Sequence, residues 1–213
     1  MSGAGARGRF IAFEGGEGTG KSTQARMLSA ALTVRGIACE VTREPGGTTG
    51  AEAIRTLLLD PALPPWEPAA EALLFAAARS DHVAHRIEPA LAAGRWVICD
   101  RYVDSSLAYQ GDAAGLGEDA IRMLHQIGSH GLLPDVTLLL EAGSETTAAR
   151  LSARDGATVD KIGGRGAAFH DAVAAAFVRL ATTEPERFVR IDASRPPDQV
   201  QALVFDALKG LLP

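Results

Sequence analysis

Residues Gly15 to Ser22 read Gly-Gly-Glu-Gly-Thr-Gly-Lys-Ser, which fits the pattern G-x-x-x-x-G-K-[ST] with Gly15, Gly20, Lys21 and Ser22 in the fixed places. Few short patterns constrain a fold as tightly, because the loop belongs between a buried strand and the start of a helix. Both flanks suit it. Phe10-Ile11-Ala12-Phe13 is a short apolar run fit for a buried strand, and Thr23 to Arg35 continues with helical spacing. Such a loop turns successive backbone N–H groups inward at the positive end of the following helix, where they hold phosphates. Gly15, Gly16, Glu17, Gly18, Thr19, Gly20, Lys21, Ser22 and Thr23 are therefore the expected nucleotide-phosphate contacts. Lys21 adds a mobile cation near the β- and γ-phosphates, and the Ser22 hydroxyl is the expected Mg²⁺ ligand. Four fixed positions match by accident in only about 1% of chains this long, so the loop is read as functional.

At 213 residues and 46% hydrophobic content, the chain is expected to form a single domain spanning 1–213. A net charge of −5 gives no electrostatic reason to expect nucleic acid or an anionic membrane as partner. Only Lys21, Lys161 and Lys209 are lysines among 21 basic residues, so each lysine draws attention. Cys39 and Cys99 lie in apolar, strand-like runs, which favours buried free thiols over a disulfide or a metal site. Residues 1–8 are expected to be disordered, no stretch approaches a membrane span, and a cytoplasmic protein is expected.

Five apolar runs read as strands: Phe10–Phe13, Ile37–Thr42, Trp96–Cys99, Val136–Leu140 and Phe188–Ile191. Helical patterns separate them, as in Thr23–Arg35, Ala69–Ala93, Glu118–His130 and Ser144–Arg154. The alternation predicts an α/β fold, a five-stranded parallel sheet with helices on both faces. Ligands then belong at the carboxyl ends of the strands, where Glu14, Arg43-Glu44, Asp100-Arg101 and Glu141 follow the apolar runs. Asp60–Pro68, with four prolines, reads as a rigid loop between helices. Residues 154–166 differ in character: glycine-rich, poor in apolar residues, and carrying Arg154, Lys161 and Arg165. In a phosphate-loop protein, cations that close over the γ-phosphate make a mobile lid the better reading.

Several further motifs stand in a fixed order. Phe13-Glu14 leads into the phosphate loop, Thr42-Arg43-Glu44-Pro45-Gly46-Gly47 follows, then Leu74-Phe75-Ala76-Ala77-Ala78-Arg79. The most telling is Asp100-Arg101-Tyr102-Val103-Asp104-Ser105-Ser106-Leu107-Ala108-Tyr109-Gln110-Gly111, with Pro134-Asp135 and Ile191-Asp192-Ala193 beyond it. Across nearly its whole length the chain closely resembles the thymidylate kinases of the bacterial type, a branch of the nucleoside monophosphate kinases. The resemblance implies transfer of the γ-phosphoryl group of ATP to thymidine monophosphate in dTTP synthesis, with Mg²⁺ as cofactor and a homodimer as the assembly.

It also implies roles. Phe75 stacks on the thymine ring, Arg79 and Gln110 bond its polar edge, and Ser106 lines the same pocket with Ser105, Glu44 and Pro45 beside the acceptor. Pro45 follows a cis peptide bond. Arg43, Arg55 and Arg101 bind the acceptor monophosphate, since guanidinium forks match phosphate oxygens. Tyr109 crowds the sugar's 2′ position, Glu17 bonds its 3′-hydroxyl, and Arg150 packs on adenine. Asp100 resembles the carboxylate that joins Ser22 at Mg²⁺ or its water shell. The catalytic set is then Lys21, Arg101 and the lid cations Arg154, Lys161 and Arg165. In this family the cation over the transferring phosphoryl comes from the phosphate loop or the lid. The loop has no arginine at Gly16 to Thr19, so the lid is expected to supply it. The lid departs from the pattern: many relatives read Asp-Arg-x-Glu where this chain has Asp160-Lys161-Ile162-Gly163.

His82 and His85, beside Asp81, stand three apart on one helical run without a distant third ligand, so packing or solvated histidines outweigh a metal site. A kinase for another nucleotide or deoxynucleoside is the near alternative, and Ser106, Tyr109 and Gln110 argue against it. A nucleotide-dependent switch protein is the distant one, and the guanine-reading Asn-Lys-x-Asp sequence is absent.

Overall fold

The computed structural model of the chain describes residues 7–154 and 161–212. Five strands, β1 (Phe10–Glu14), β2 (Cys39–Arg43), β3 (Trp96–Asp100), β4 (Val136–Glu141) and β5 (Phe188–Asp192), form one sheet in the order β2-β3-β1-β4-β5. Every pairing is parallel. Around it lie α1 (Lys21–Val34), α2 (Thr49–Leu59), α3 (Pro68–His82), α4 (Glu88–Ala92), α5 (Val103–Ser106), α6 (Glu118–Ser129), α7 (Ser144–Arg154), α8 (Ala167–Thr183) and α9 (Pro197–Ala207). No helix among the described residues is long and apolar enough to cross a membrane.

β1 is the centre. Phe10, Ile11, Ala12 and Phe13 are each 0% exposed, which explains why the strand reads as an unbroken apolar run rather than an alternating one. Its period of two still divides the core. Ile11 and Phe13 pack with Ala25, Leu28 and Leu32 of α1 and Val200 and Val204 of α9. Phe10 and Ala12 face Val83, Ile87, Leu91 and Tyr102. A third cluster joins Leu107, Tyr109 and Ile121 to Leu139, Phe177 and Leu180, and forms one wall of the site.

From β1 the chain runs to β2 and β3 on one side, then crosses to β4 and β5 on the other. That reversal opens a crevice at the carboxyl ends of β1 and β3. Register aligns Phe13 with Asp100 and Arg43 with Asp100, so the polar residues ending three strands stand side by side.

The run expected as one helix, Ala69–Ala93, starts at Pro68 and loosens to π-helical winding over Val83–Ile87. Pro89 is the cause: it has no N–H, and its ring would clash with the carbonyl four residues back. A second π-helical stretch, Leu107–Ala113, continues α5 and carries Tyr109 and Gln110. Helices α2, α5, α8 and α9 lie outside the helical patterns read from sequence. The Asp60–Pro68 loop does connect two helices, as expected. Residues 1–6 lie outside the described residues, but Gly8, grouped with them as disordered, is buried and its N–H donates to the Leu91 carbonyl at 2.9 Å. Cys39 and Cys99 are free thiols, the second buried and the first half-buried.

Candidate active site

The phosphate loop takes the strand–loop–helix form its sequence requires. Gly15, Gly18 and Gly20 have φ of 131°, 71° and 96°, a region side chains rarely enter. At Gly15 a Cβ would meet the Leu140 carbonyl oxygen at 2.3 Å, so the close pass over β4 also demands glycine. The loop closes on Lys21, whose Nζ donates to the carbonyls of Gly16 at 2.6 Å and Gly15 at 3.0 Å. The Thr19 hydroxyl donates to the Gly16 carbonyl at 2.9 Å, and the Thr23 N–H to Gly20 at 3.1 Å. Burial, and then the neighbouring Arg101 charge, push Lys21 down to about 7. An anion beside it would offset that burial and favour the charged form.

Glu14 holds the next segment in place. Its buried carboxylate accepts from the Tyr102 N–H at 2.8 Å, the Ser105 N–H at 3.0 Å and the Ser105 hydroxyl at 2.6 Å. Burial, and then Asp104, push it up to about 7. Arg101 has φ 69°, unusual for a side-chain-bearing residue. This backbone turns its guanidinium back to the phosphate loop, where Nη1 donates to Gly15 O and Ser105 Oγ, both at 3.1 Å. Burial works against its charge, but Tyr109, Glu14, Asp100 and Glu17 around it raise its pKa. Arg101 also lies 5.2 Å over the Tyr109 ring.

Two cavities meet at the loop. One, about 430 Å³, runs from Glu17, Gly18, Lys21 and Ser22 past Arg101 to Phe75, Arg79, Ser106, Tyr109 and Gln110. Arg43, Glu44, Pro45, Arg55, Asp100 and Ser105 complete its expected lining. The other, about 580 Å³, spans Gly18 to Thr23 and ends at Arg150, Arg195 and Pro197. Gly18, Lys21 and Ser22 line both. Arg150 donates to the carbonyls of Thr19 at 3.4 Å and Arg195 at 3.3 Å.

Hydrogen bonds refine several expectations. Glu44 lines the cavity, yet its carboxylate stands behind the wall: Arg79 Nε donates to it at 2.7 Å and His82 Nδ1 at 3.0 Å. Burial works against its charge, but the Arg79 guanidinium and the hydrogen bond from His82 hold Glu44 below the usual carboxylate range. His82 then accepts from the Thr42 hydroxyl at 2.7 Å, and is a packing histidine as expected. Thus braced, Arg79 reaches Ser106 Oγ with Nη2 at 2.7 Å. The Glu44–Pro45 bond is cis, and Arg55 Nη1 donates to the Pro45 carbonyl at 2.7 Å. Arg43 pairs with Glu52 at 3.2 Å. Gln110 Nε2 donates at 2.9 Å to Glu71, a buried carboxylate outside the expected set. The signal for Glu71 was its spacing: with Phe75 and Arg79 it recurs every fourth residue, along one stripe of α3.

Two of the cations expected in a lid, Lys161 and Arg165, have their partners away from the phosphate loop. Lys161 Nζ donates to the Pro64 carbonyl at 2.9 Å, while Arg165 pairs with Glu71 and lies 4.6 Å over the Phe169 ring. Residues 155–160 and the Arg154 side chain lie outside the described residues. At Gly163, where the family pattern leads one to expect glutamate, a Cβ would approach Glu17 Oε2 to 2.8 Å. A carboxylate at 163 would face another carboxylate.

Ser22 donates its hydroxyl to Asp100 in a short hydrogen bond. Both offer hard oxygen atoms, the donor type Mg²⁺ takes, and both border the acceptor-side cavity. Among the described residues no three or more His, Cys, Asp or Glu gather as a metal site. One or two protein oxygens completed by phosphate and water suit Mg²⁺ rather than zinc.

Known proteins are similar to this chain in sequence. A family model described as thymidylate kinase matches residues 13–204. A thymidylate kinase of Rhizorhabdus wittichii is 57% identical over 206 residues, covering 97% of this chain and 99% of that one. One from a Bradyrhizobium species is 45% identical over 207 residues, with 97% and 92% covered. Another, from Chromohalobacter salexigens, is 48% identical over 200 residues, with 92% and 93% covered.

Proposed function

The chain belongs to the thymidylate kinase family, and from that premise we propose how its own residues carry out the reaction. The activity is transfer of the γ-phosphoryl group of ATP to thymidine monophosphate, giving thymidine diphosphate on the way to dTTP. One observation carries the assignment of sites: two cavities share Gly18, Lys21 and Ser22, so a donor and an acceptor nucleotide would meet end to end at the phosphate loop. ATP takes the cavity reaching Arg150, and thymidine monophosphate the one reaching Phe75.

No general base is needed. The acceptor's phosphate oxygen is anionic at neutral pH, so the chemistry asks for alignment and relief of charge repulsion. Lys21 supplies positive charge from the loop. Arg101 is held between that loop and Ser105, where it can serve the acceptor phosphate, with Arg43 and Arg55 at the outer edge. Phe75 offers a stacking face, Arg79 and Ser106 a polar edge, and Tyr109 a wall beside the sugar. Ser22 and Asp100 are the residues that would hold Mg²⁺, which would supply positive charge against the negative charge that develops during phosphoryl transfer. The cytoplasm, where both nucleotides occur, is the compartment such an activity calls for.

A homodimer fits the surface. Leu73 on α3 is 57% exposed, and Met123 and Ile127 on α6 are 65% and 72% exposed. The two helices pack side by side, and these residues are left without cover by the other described residues.

An acceptor screen tests the reading. With ATP and Mg²⁺, turnover is expected to need a nucleoside monophosphate and to be fastest with thymidine monophosphate. Nucleotide hydrolysis at the same rate with no acceptor would point to a switch protein instead.

A further inference from the structure

We propose that Glu71 is a specificity-determining positioning residue, which fixes the end of the Gln110 amide that faces the acceptor's base. The inference rests on reading the cavity lined by Phe75, Arg79 and Gln110 as the base pocket. Glu71 is 3% exposed and belongs to α3, one turn before Phe75. Gln110 Nε2 donates to its Oε1 at 2.9 Å, and Arg165 donates to its Oε2. Both partners give hydrogens, and an ionised carboxylate only accepts them. An amide carries its donor and acceptor at opposite ends, and its orientation is set by its partners. With Nε2 committed to Glu71, Gln110 has its Oε1 acceptor to offer a base.

That polarity selects among pyrimidines. Thymine and uracil present an N3–H donor beside a C4 carbonyl acceptor. Cytosine presents a bare N3 acceptor beside an amino donor. Gln110 Oε1 accepts from N3–H and repels the lone pair of cytosine N3. Arg79, all donor, suits the C4 carbonyl in the same way. Arg165 gives the arrangement a second fixed end. If residue 71 were glutamine, Arg165 would claim its carbonyl oxygen and turn its NH₂ toward Gln110. Gln110 would then have to present Oε1 to that group and Nε2 to the base, which inverts the pocket's polarity. Glu71→Gln changes one atom in size but reverses the message.

The experiment measures kcat/KM for thymidine, deoxyuridine and deoxycytidine monophosphates in the wild type, Glu71→Gln, Glu71→Asp and Gln110→Leu, plus the Glu71→Gln/Gln110→Leu double variant. The ratio of thymidine to deoxycytidine monophosphate is read within each preparation, so any loss of folded protein cancels. Glu71→Gln is expected to lower that ratio by about tenfold or more, the scale of one correctly placed base contact, and to leave the ATP KM unchanged. Glu71→Asp keeps an acceptor-only group and is expected to hold more of the ratio. In the Gln110→Leu background, Glu71→Gln is expected to change the ratio no further. An unaltered ratio in Glu71→Gln would overturn the inference and leave the kinase reading standing, as would a greater loss in Glu71→Asp or an equal loss without Gln110. A wild type that does not prefer thymidine monophosphate would overturn the base-pocket reading itself.

Discussion

Phe75 is half-buried, with its ring bordering the acceptor cavity rather than sealed in the core. Removing that ring should cost thymidine monophosphate binding about 1–3 kcal/mol, the range for lost base stacking. ATP binding should hold, because its cavity does not include Phe75. Titration calorimetry of Phe75→Ala with each nucleotide checks this, and equal losses would mean general damage to the fold. His125 makes a prediction of another kind. It is buried on α6, its Nε2–H donates to the Leu132 carbonyl at 2.9 Å, and its Nδ1 has no partner. Burial, and then Arg79, push its pKa from 6.5 down to about 4. The unfolded chain therefore binds this proton first, so the stability His125 contributes is present above pH 6.5 and lost as pH falls toward 4. The slope is about 1.4 kcal/mol per pH unit inside that window. Urea unfolding at pH 7 and pH 5 should show a smaller drop for His125→Leu than for the wild type.

At the scale of elements, the segment after residue 160 leaves its cations engaged elsewhere. Lys161 rests on the Pro64 carbonyl, and Arg165 on the buried Glu71 carboxylate. A cation that meets the transferring phosphoryl must first leave such a partner. Lys161 gives up one hydrogen bond to a neutral carbonyl at the surface, whereas Arg165 would abandon a buried charge, which costs far more. Lys161→Ala is accordingly expected to lower kcat and kcat/KM together, by on the order of 10³-fold, with substrate KM unchanged. Arg165→Ala is expected to raise the KM for thymidine monophosphate, since it loosens Glu71 beneath the base. Steady-state kinetics on these two variants and on Arg154→Ala separate the duties, and near-full kcat in Lys161→Ala would remove Lys161 from the reaction.

For the whole molecule, the exposed apolar residues Leu73, Met123 and Ile127 predict two copies joined through α3 and α6. Ile127→Glu places a charge among them and should shift the mass by light scattering from two chains to one. A wild type already monomeric at working concentration would remove the dimer. The sheet that carries all this was legible from sequence because its central strands β1, β3 and β4 are local apolar runs whose composition alone fits a covered parallel strand. The phosphate loop was legible for the same reason: eight consecutive residues contain its geometry. The residues that line the acceptor-side cavity were also within reach, since a motif keeps its members close in sequence. Helices α2, α8 and α9 went unread, and the π-helical stretches depend on a proline clash and on tertiary fit. Which carboxylate faces which guanidinium could not be read at all. Glu44 stands 35 residues from Arg79, Glu71 stands 94 from Arg165, and only the fold decides that they touch. The sequence determined the phosphate loop, the parallel sheet and the edge of it at which the two cavities open. The tertiary structure decided that Glu44 braces Arg79 and that Glu71 joins Gln110 to Arg165, because a buried charge takes whichever partner packing brings within reach.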